Sequence, residues 1–448
     1  MHSIIIAVLL SAGPTLTLDQ ALEAAQAQNL DLQVAQARFA QAQTLTRKAW
    51  ALYLPQLSAV GSYTYNNVEA KFRQPSGYAI RDVGMPTTTD PSLPGTQTNL
   101  ALVPTGFAEA VIQAQNALSL SLQATQQLVN LPAIWNIKNA GLAVDAQEQS
   151  LEVLRREVLF GVAQAYYGVA SLKELNRIQE QLVANARAHE ADAKRRYEAG
   201  ALTKLSYTRA ELDRSRLEQD LERAKGSLAS ATLALATLLD RPADFEVVTP
   251  PAPAVVDGQP GALVDEALAK RVELKASRLS QELADSTKTQ VWLKFLPTVG
   301  VTGRYTVANA TGFTGRNDSW LVQFGLTWVL WDGGIREAEL REASAKQVET
   351  DLAVRQAERK VRDDVEKARI DLQSAQAALL KAQDGAVLAR ESLALAQDSF
   401  RAGAATELDV TDASTALASA EQSLIGETLN AQLAGVRLLK ALGRFAAR

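Results

Sequence analysis

Few residues of this chain are equipped for covalent or metal chemistry. It has no cysteine and two histidines, His2 and His189. Thiolate nucleophiles, thiolate zinc sites and disulfides are excluded. A Ser–His–Asp relay or a His-rich metal site would have to use one of the two imidazoles. His2 precedes the apolar run Ile4–Leu10, and His189 lies in a polar helical stretch, where it reads as a solvated helix residue. No Gly-rich phosphate loop is present, so the chain reads as no enzyme, with no cofactor and no metal site. What remains is electrostatic. Asp409 and Asp412 follow Gly403 and are three apart, so they share one helix face. Taken alone they are solvated acids at a helix start, favoured by the helix dipole.

The elements that must position such groups are very long helices. Ala, Leu, Gln, Glu and Arg dominate long stretches of the 448 residues, and the net charge of −4 implies no pull on nucleic acid. Val144, Leu151, Leu154, Val158, Gly161, Ala165, Gly168, Leu172, Leu175 and Leu182 keep a three-four spacing. Val361, Val365, Ala368, Leu372, Ala375, Leu379 and Ala382 do the same. Sustained heptads predict coiled coils. The proline-free span from Gly141 to Ala199 would reach ~90 Å as a helix, too long for a compact globule. Gly200 and Gly403 interrupt the pattern, which predicts two antiparallel hairpins with those glycines at their tips.

The chain is internally duplicated. Trp50-Ala51-Leu52-Tyr53-Leu54-Pro55 matches Trp292-Leu293-Lys294-Phe295-Leu296-Pro297, and Gly61 and Tyr63 match Gly303 and Tyr305. Tyr197-Glu198-Ala199-Gly200-Ala201 matches Phe400-Arg401-Ala402-Gly403-Ala404. The predicted organisation is a secretory signal over 1–13 (Ile4–Leu10, then small residues), a first repeat over 14–240, a Pro-rich linker over 241–261 and a second repeat over 262–448. A helix capped by Thr17 and Gln20 is expected to run on to Trp50, and Asp332 to cap the helix after it.

Each copy also has two segments of about ten residues with period-two alternation. They are Leu57–Tyr65 and Leu118–Ala124 in the first copy, Val299–Val307 and Trp320–Leu330 in the second. That is the pattern of transmembrane barrel strands, with Trp320, Trp328 and Tyr305 as an aromatic girdle. The stretch Asn66–Glu109, with its many prolines and glycines, reads as a long outward-facing loop. Four strands cannot close a barrel, and lipid tolerates no open edge. The fold class is therefore mixed and mainly α: long coiled-coil hairpins forming a periplasmic α-barrel, plus four strands per chain in a β-barrel shared by a cyclic oligomer. A soluble periplasmic coiled-coil structural or adaptor protein is the competing reading.

Five elements in fixed order resemble the outer-membrane efflux proteins of Gram-negative bacteria, the TolC family. They are Leu18-Asp19-Gln20-Ala21-Leu22, Leu54-Pro55 before a strand, Trp331-Asp332-Gly333-Gly334 before a helix, and the two tips. The resemblance covers residues 15 to 445. It implies a homotrimer in the outer membrane that extends into the periplasm, with a twelve-stranded barrel and a twelve-helix tunnel. It further implies docking to a periplasmic adaptor and to an inner-membrane pump of RND or ABC type, in efflux or type I secretion. It implies that Asp409 and Asp412 form stacked carboxylate rings at the pore constriction, and that Gly200, Ala201, Leu202, Gly403 and Ala404 form the adaptor surface. An arginine that locks the family's tips is replaced here by Ala405, facing Leu205 and Ser206. Closure would then rest on Leu205, Leu408 and Phe400 or on the charge rings.

Overall fold

The computed structural model describes residues 14–83, 100–250, 258–311 and 315–445. The expected signal segment and linker residues 251–257, with Pro251 and Pro253, lie outside them. Sixteen elements follow in order: β1 (Thr15–Leu16), α1 (Leu18–Gln28), α2 (Leu30–Tyr53), β2 (Gln56–Tyr65), β3 (Ala70–Asp82), β4 (Leu100–Gln113), β5 (Asn116–Val129), α3 (Leu131–Glu198), α4 (Lys204–Leu238), β6 (Glu246–Val247), α5 (Pro260–Lys270), α6 (Val272–Leu293), β7 (Thr298–Ala308), β8 (Asp318–Thr327), α7 (Ile335–Arg401) and α8 (Glu407–Ala441). α3 has 68 residues and α7 has 67. Each is on the order of 100 Å long. None of the described helices is apolar enough to cross a membrane.

The chain forms two units that cut across the repeats, each repeat contributing to both. One draws on Thr46–Ala140 and Ser286–Ala343, the other on Met1–Leu45, Gly141–Asp285 and Ser344–Arg448.

The first unit is built on an antiparallel sheet of order β2-β5-β7-β8. Its register puts Leu57 opposite Ala124, Leu122 opposite Tyr305, and Tyr305 opposite Trp320. Because side chains alternate, these rows share one face, with Val301, Val322, Phe324 and Leu326. The other face carries Ser62 against Ser119 (2.7 Å between hydroxyls) and Ser121 against Thr306 (3.0 Å). One sheet face is apolar, the other polar, and both are open: Phe324 is 73% exposed and Trp320 74%. Among the described residues, no further strand pairs with the edges β2 and β8. Trp328 falls just past the end of β8, where its Nε1–H donates to the Phe295 carbonyl (3.1 Å).

The predicted loop after Asn66 is a correction. Its described residues form the β3–β4 ladder, a continuation of the β2–β5 pair through Asn66, whose backbone N–H donates to Gln115 O (2.7 Å). The ladder absorbs its turn residues: Pro75 faces Phe107, Gly77 faces Gly106, and the register shifts on both sides of Gly77. Bulges let such residues stand in a strand pair.

The second unit is helical and shows the duplication in its packing. α1 sits on α3 and α4 through Ala21, Ala25, Val162, Tyr166, Leu235 and Leu239. α5 sits on α7 and α8 through Leu263, Ala267, Val361, Val365, Leu438 and Leu442. The helix expected to run unbroken from Thr17 to Trp50 ends at Asn29, a second correction. The capping box at Thr17 and Gln20 is present, but Asn29 turns extended (ψ 126°). Asn29 Nδ2 donates to Leu238 O (2.9 Å), while its Oδ1 accepts from Leu32 N (3.2 Å) and starts α2. The second copy breaks likewise at Arg271 (ψ 120°), whose guanidinium reaches Ala441 O (3.5 Å). In each copy a buried polar side chain ties the kink to the end of the returning helix.

In the sheet-bearing unit, Asp332 stands two residues before the cap of α7. Its carboxylate accepts from Gly334 N (3.2 Å) and Arg336 Nε (2.8 Å).

Candidate gate and docking site at the hairpin tips

Both tips solve the same backbone problem in the same way. A helix must end, reverse and restart within about five residues. Gly200 and Gly403 take φ values of 74° and 77°, which glycine adopts without steric cost. At the first tip Gly200 N donates to Tyr197 O (2.9 Å) and Ala201 N to Arg196 O (2.8 Å). At the second, Gly403 N donates to Phe400 O (3.1 Å) and Ala404 N to Ser399 O (2.8 Å). Each is a Schellman closure. Threonine restarts each helix. Thr203 Oγ1 accepts from Ser206 N (3.2 Å). Thr406 Oγ1 accepts from Asp409 N (3.4 Å), and Asp409 Oδ2 in turn accepts from Thr406 N (2.7 Å). Asp409 is thus half of a capping box. The two bonds from Thr406 hold its carboxyl below the usual range.

Asp412 is exposed and lines a groove between α4 and α8 with Arg209, Asp213 and Arg216. Leu205 and Leu408 are 61% and 48% exposed. Phe400 is not with them. It is 7% exposed and packs in the four-helix core with Leu182, Ala186, Leu221, Leu393 and Val410. The expected three-residue gate contact is corrected accordingly: an apolar aromatic at a heptad position is drawn into its own bundle. Leu202 also packs on that core, whereas Gly200, Ala201, Gly403 and Ala404 are exposed.

His189 is a further correction. It is not solvated. Its Nε2 lies 2.7 Å from Glu407 Oε1, and its ring sits edge-on to Phe400 at 5.7 Å. The His189 side chain is 17% exposed and that of Glu407 1%. The hydrogen bond to Glu407 raises the imidazole above its ordinary value, against the opposing effect of burial. Asp213 on α4 and Asp192 on α3 add attraction, and Asp213 is itself pushed up by burial. The pair joins α3 of the first hairpin to α8 of the second. The sequence carried a signal for it: Leu182, Ala186, His189 and Ala193 continue the three-four spacing, and the residue type hid the position.

Setting Gly200 against Gly403 brings further residues into correspondence. Arg187 and Glu218 form an ion pair (2.7 Å), and so do Arg390 and Glu421 (2.6 Å), the same two positions in both copies. Past the tips the copies diverge in charge. Lys204, Ser206 and Arg209 of α4 stand where α8 has Glu407, Asp409 and Asp412.

The sequence model of the outer membrane efflux proteins matches residues 21–241 and 263–444, one segment per copy. No curated protein matches the chain in sequence. Among solved structures, the outer membrane protein VceC from Vibrio cholerae superposes with a TM-score of 0.74 at 20% identity, covering 95% of this chain and 96% of that one. CusC, described for the conformational changes of folding and transmembrane channel formation, gives 0.76 at 18%, with 95% and 92% covered. The open state of the MtrE outer membrane channel of Neisseria gonorrhoeae gives 0.71 at 17%, with 95% and 88% covered. With nearly all of both copies matched and the strand pairs and hairpins in place, this chain belongs to the outer membrane efflux protein family, whose members are channels rather than enzymes and reside in the outer membrane of Gram-negative bacteria.

Proposed function

We propose that the chain is the exit duct of a tripartite efflux or type I secretion system. Three copies pool their sheets into one barrel and their hairpins into one tunnel. An inner-membrane pump of RND or ABC type delivers cargo through a periplasmic adaptor. The observation that carries this reading is the four-stranded sheet with one apolar face, one polar face and two unpaired edges. A soluble protein would bury the apolar face, and a lone protomer in lipid would leave both edges unsatisfied. The tips are the gate, with Asp412 as the main member of the acidic ring because Asp409 is engaged in its cap. The exposed backbone around Gly200 and Gly403 is the adaptor surface. Tyr305, Trp320 and Trp328 meet the lipid interfaces.

The test starts with protein extracted from the outer membrane. It should migrate as a trimer before heating and as a monomer after it, and should form channels in planar bilayers. A monomer without conductance would overturn the reading. Asp409→Ala with Asp412→Ala should lower the cation preference of those channels, and unchanged selectivity would remove the ring from the scheme.

A further inference from the structure

The polar face of the four-stranded sheet is almost free of charge. β2 and β5 contain no acidic or basic residue, and β7 and β8 contain one each, Arg304 and Asp318. Asp318 is in register with Val307 on the apolar side, at the loop end, where Arg316 holds it at 3.2 Å. Arg304 stands in the row Ser58–Gln123–Arg304–Leu321, away from the strand ends. Its Nη2 donates to Gln123 Oε1 (3.0 Å), which fixes the guanidinium on the polar face. Among the described residues this is its one hydrogen bond, so most of its five N–H donors stay uncommitted. On the apolar face this charge would cost about 2–4 kcal/mol at mid-bilayer, so the sheet tolerates it only where water is.

We infer that Arg304 is the charge filter of the barrel and biases it toward anionic permeants. The inference rests on the duct reading above. Rotation about the oligomer axis repeats Arg304 in every protomer and turns one side chain into a ring, the arrangement by which pores favour anions. In a barrel of twelve strands the wall stands on the order of 12 Å from the axis. An extended arginine reaches roughly half of that. A permeant on the axis then passes within about one Debye length, ~8 Å at physiological salt, of every guanidinium. The lipid around the wall has a low dielectric constant and concentrates the field inside the lumen. The barrel therefore opposes in sign the acidic ring assigned to α8. Anionic and neutral cargo would pass the barrel freely, and multivalent cations would be held back.

Reversal potentials in a salt gradient across a planar bilayer test this directly. R304Q should shift the anion-to-cation permeability ratio toward cations by about two- to threefold, and R304E further. R304K should match the parent. R304Q channels with the parent's ratio would overturn the inference, while absence of channels from the parent protein would overturn the duct reading itself. Because the chain has no cysteine, R304C offers a second arm that does not depend on comparing folded variants. In one and the same channel, a cationic thiol reagent should restore the anion preference and an anionic one should reverse it. Equal ratios after both reagents would again overturn the assignment.

Discussion

The two hairpin tips are one structure carrying opposite charge. Each closes on a left-handed glycine, restarts on a threonine and repeats the same arginine–glutamate pair between its helices. Yet α4 begins with Lys204 and has Arg209 a turn later, and α8 begins with Glu407 and has Asp409 and Asp412. Acids suit a helix start and cations do not, because the first N–H groups carry partial positive charge. The backbone was duplicated and the charges were then divided. Arg209 and Asp412 now line one groove from equivalent positions on α4 and α8. The acidic copy also acquired a buried partner. His189 has no imidazole counterpart, since Ser392 occupies the corresponding position.

This contrast can be broken at its strongest point. His189→Ala leaves Glu407 buried without its hydrogen-bond partner, and loss of one member of a buried pair costs about 3 kcal/mol. Denaturant midpoints of the solubilised protein, or protease cutting near residue 403, should register it. His189→Gln should recover much of the loss, and Ser392→Ala should do nothing comparable. The pair also sets a pH dependence. His189 titrates above its unfolded value, so its contribution is complete below about pH 6.5 and fades as pH rises through the raised value. Asp213, raised by burial, acts in the same direction. Asp409 acts in the opposite one: its carboxyl is lowered, so its cap holds above the unfolded value and fails as pH falls through the folded one. Hydrogen exchange of the first turn of α8 should therefore be slowest at intermediate pH. That of α4, whose cap contains no acid, should not accelerate at the acidic end.

The caps give the next smaller effect. Thr406→Ala should cost about 1 kcal/mol, and Thr203→Ala less, because only the second tip has the reciprocal bond. Equal costs would mean that the capping box adds nothing. The smallest contrast is expected at the glycines. Among the described residues, nothing beyond the adjoining backbone lies within 4 Å of where a Cβ would stand at Gly200 or Gly403. Alanine at either should cost only the backbone term, about 1 kcal/mol, alike in both copies. If export falls much further in one variant while stability does not, adaptor docking is concentrated at that tip.

Much of this was legible in the sequence because it is periodic. Period two placed the four sheet strands, heptads placed the long helices, and glycine marked both tips. The misses share a physical cause. Pro75, Gly77, Pro104 and Gly106 read as loop residues, yet bulges accommodate them within the β3–β4 ladder. The kink at Asn29 has no glycine or proline to announce it. It depends on a hydrogen bond to Leu238, 209 positions away, which no local pattern encodes. His189 is polar by type and buried by position, and only its heptad spacing tells the two apart. Phe400 has the apolarity of a gate residue but is used in its own core.

The unpaired edges of β2 and β8 also bear on how the channel is made. A single chain has no stable state in lipid with ten-residue edges open on both sides. On the proposed pooling of sheets between copies, insertion cannot run ahead of association. The appearance of channels should thus follow a steeper than linear law in protomer concentration, with a lag while copies meet. A small excess of protomers able to offer only one competent edge should poison many assemblies at once.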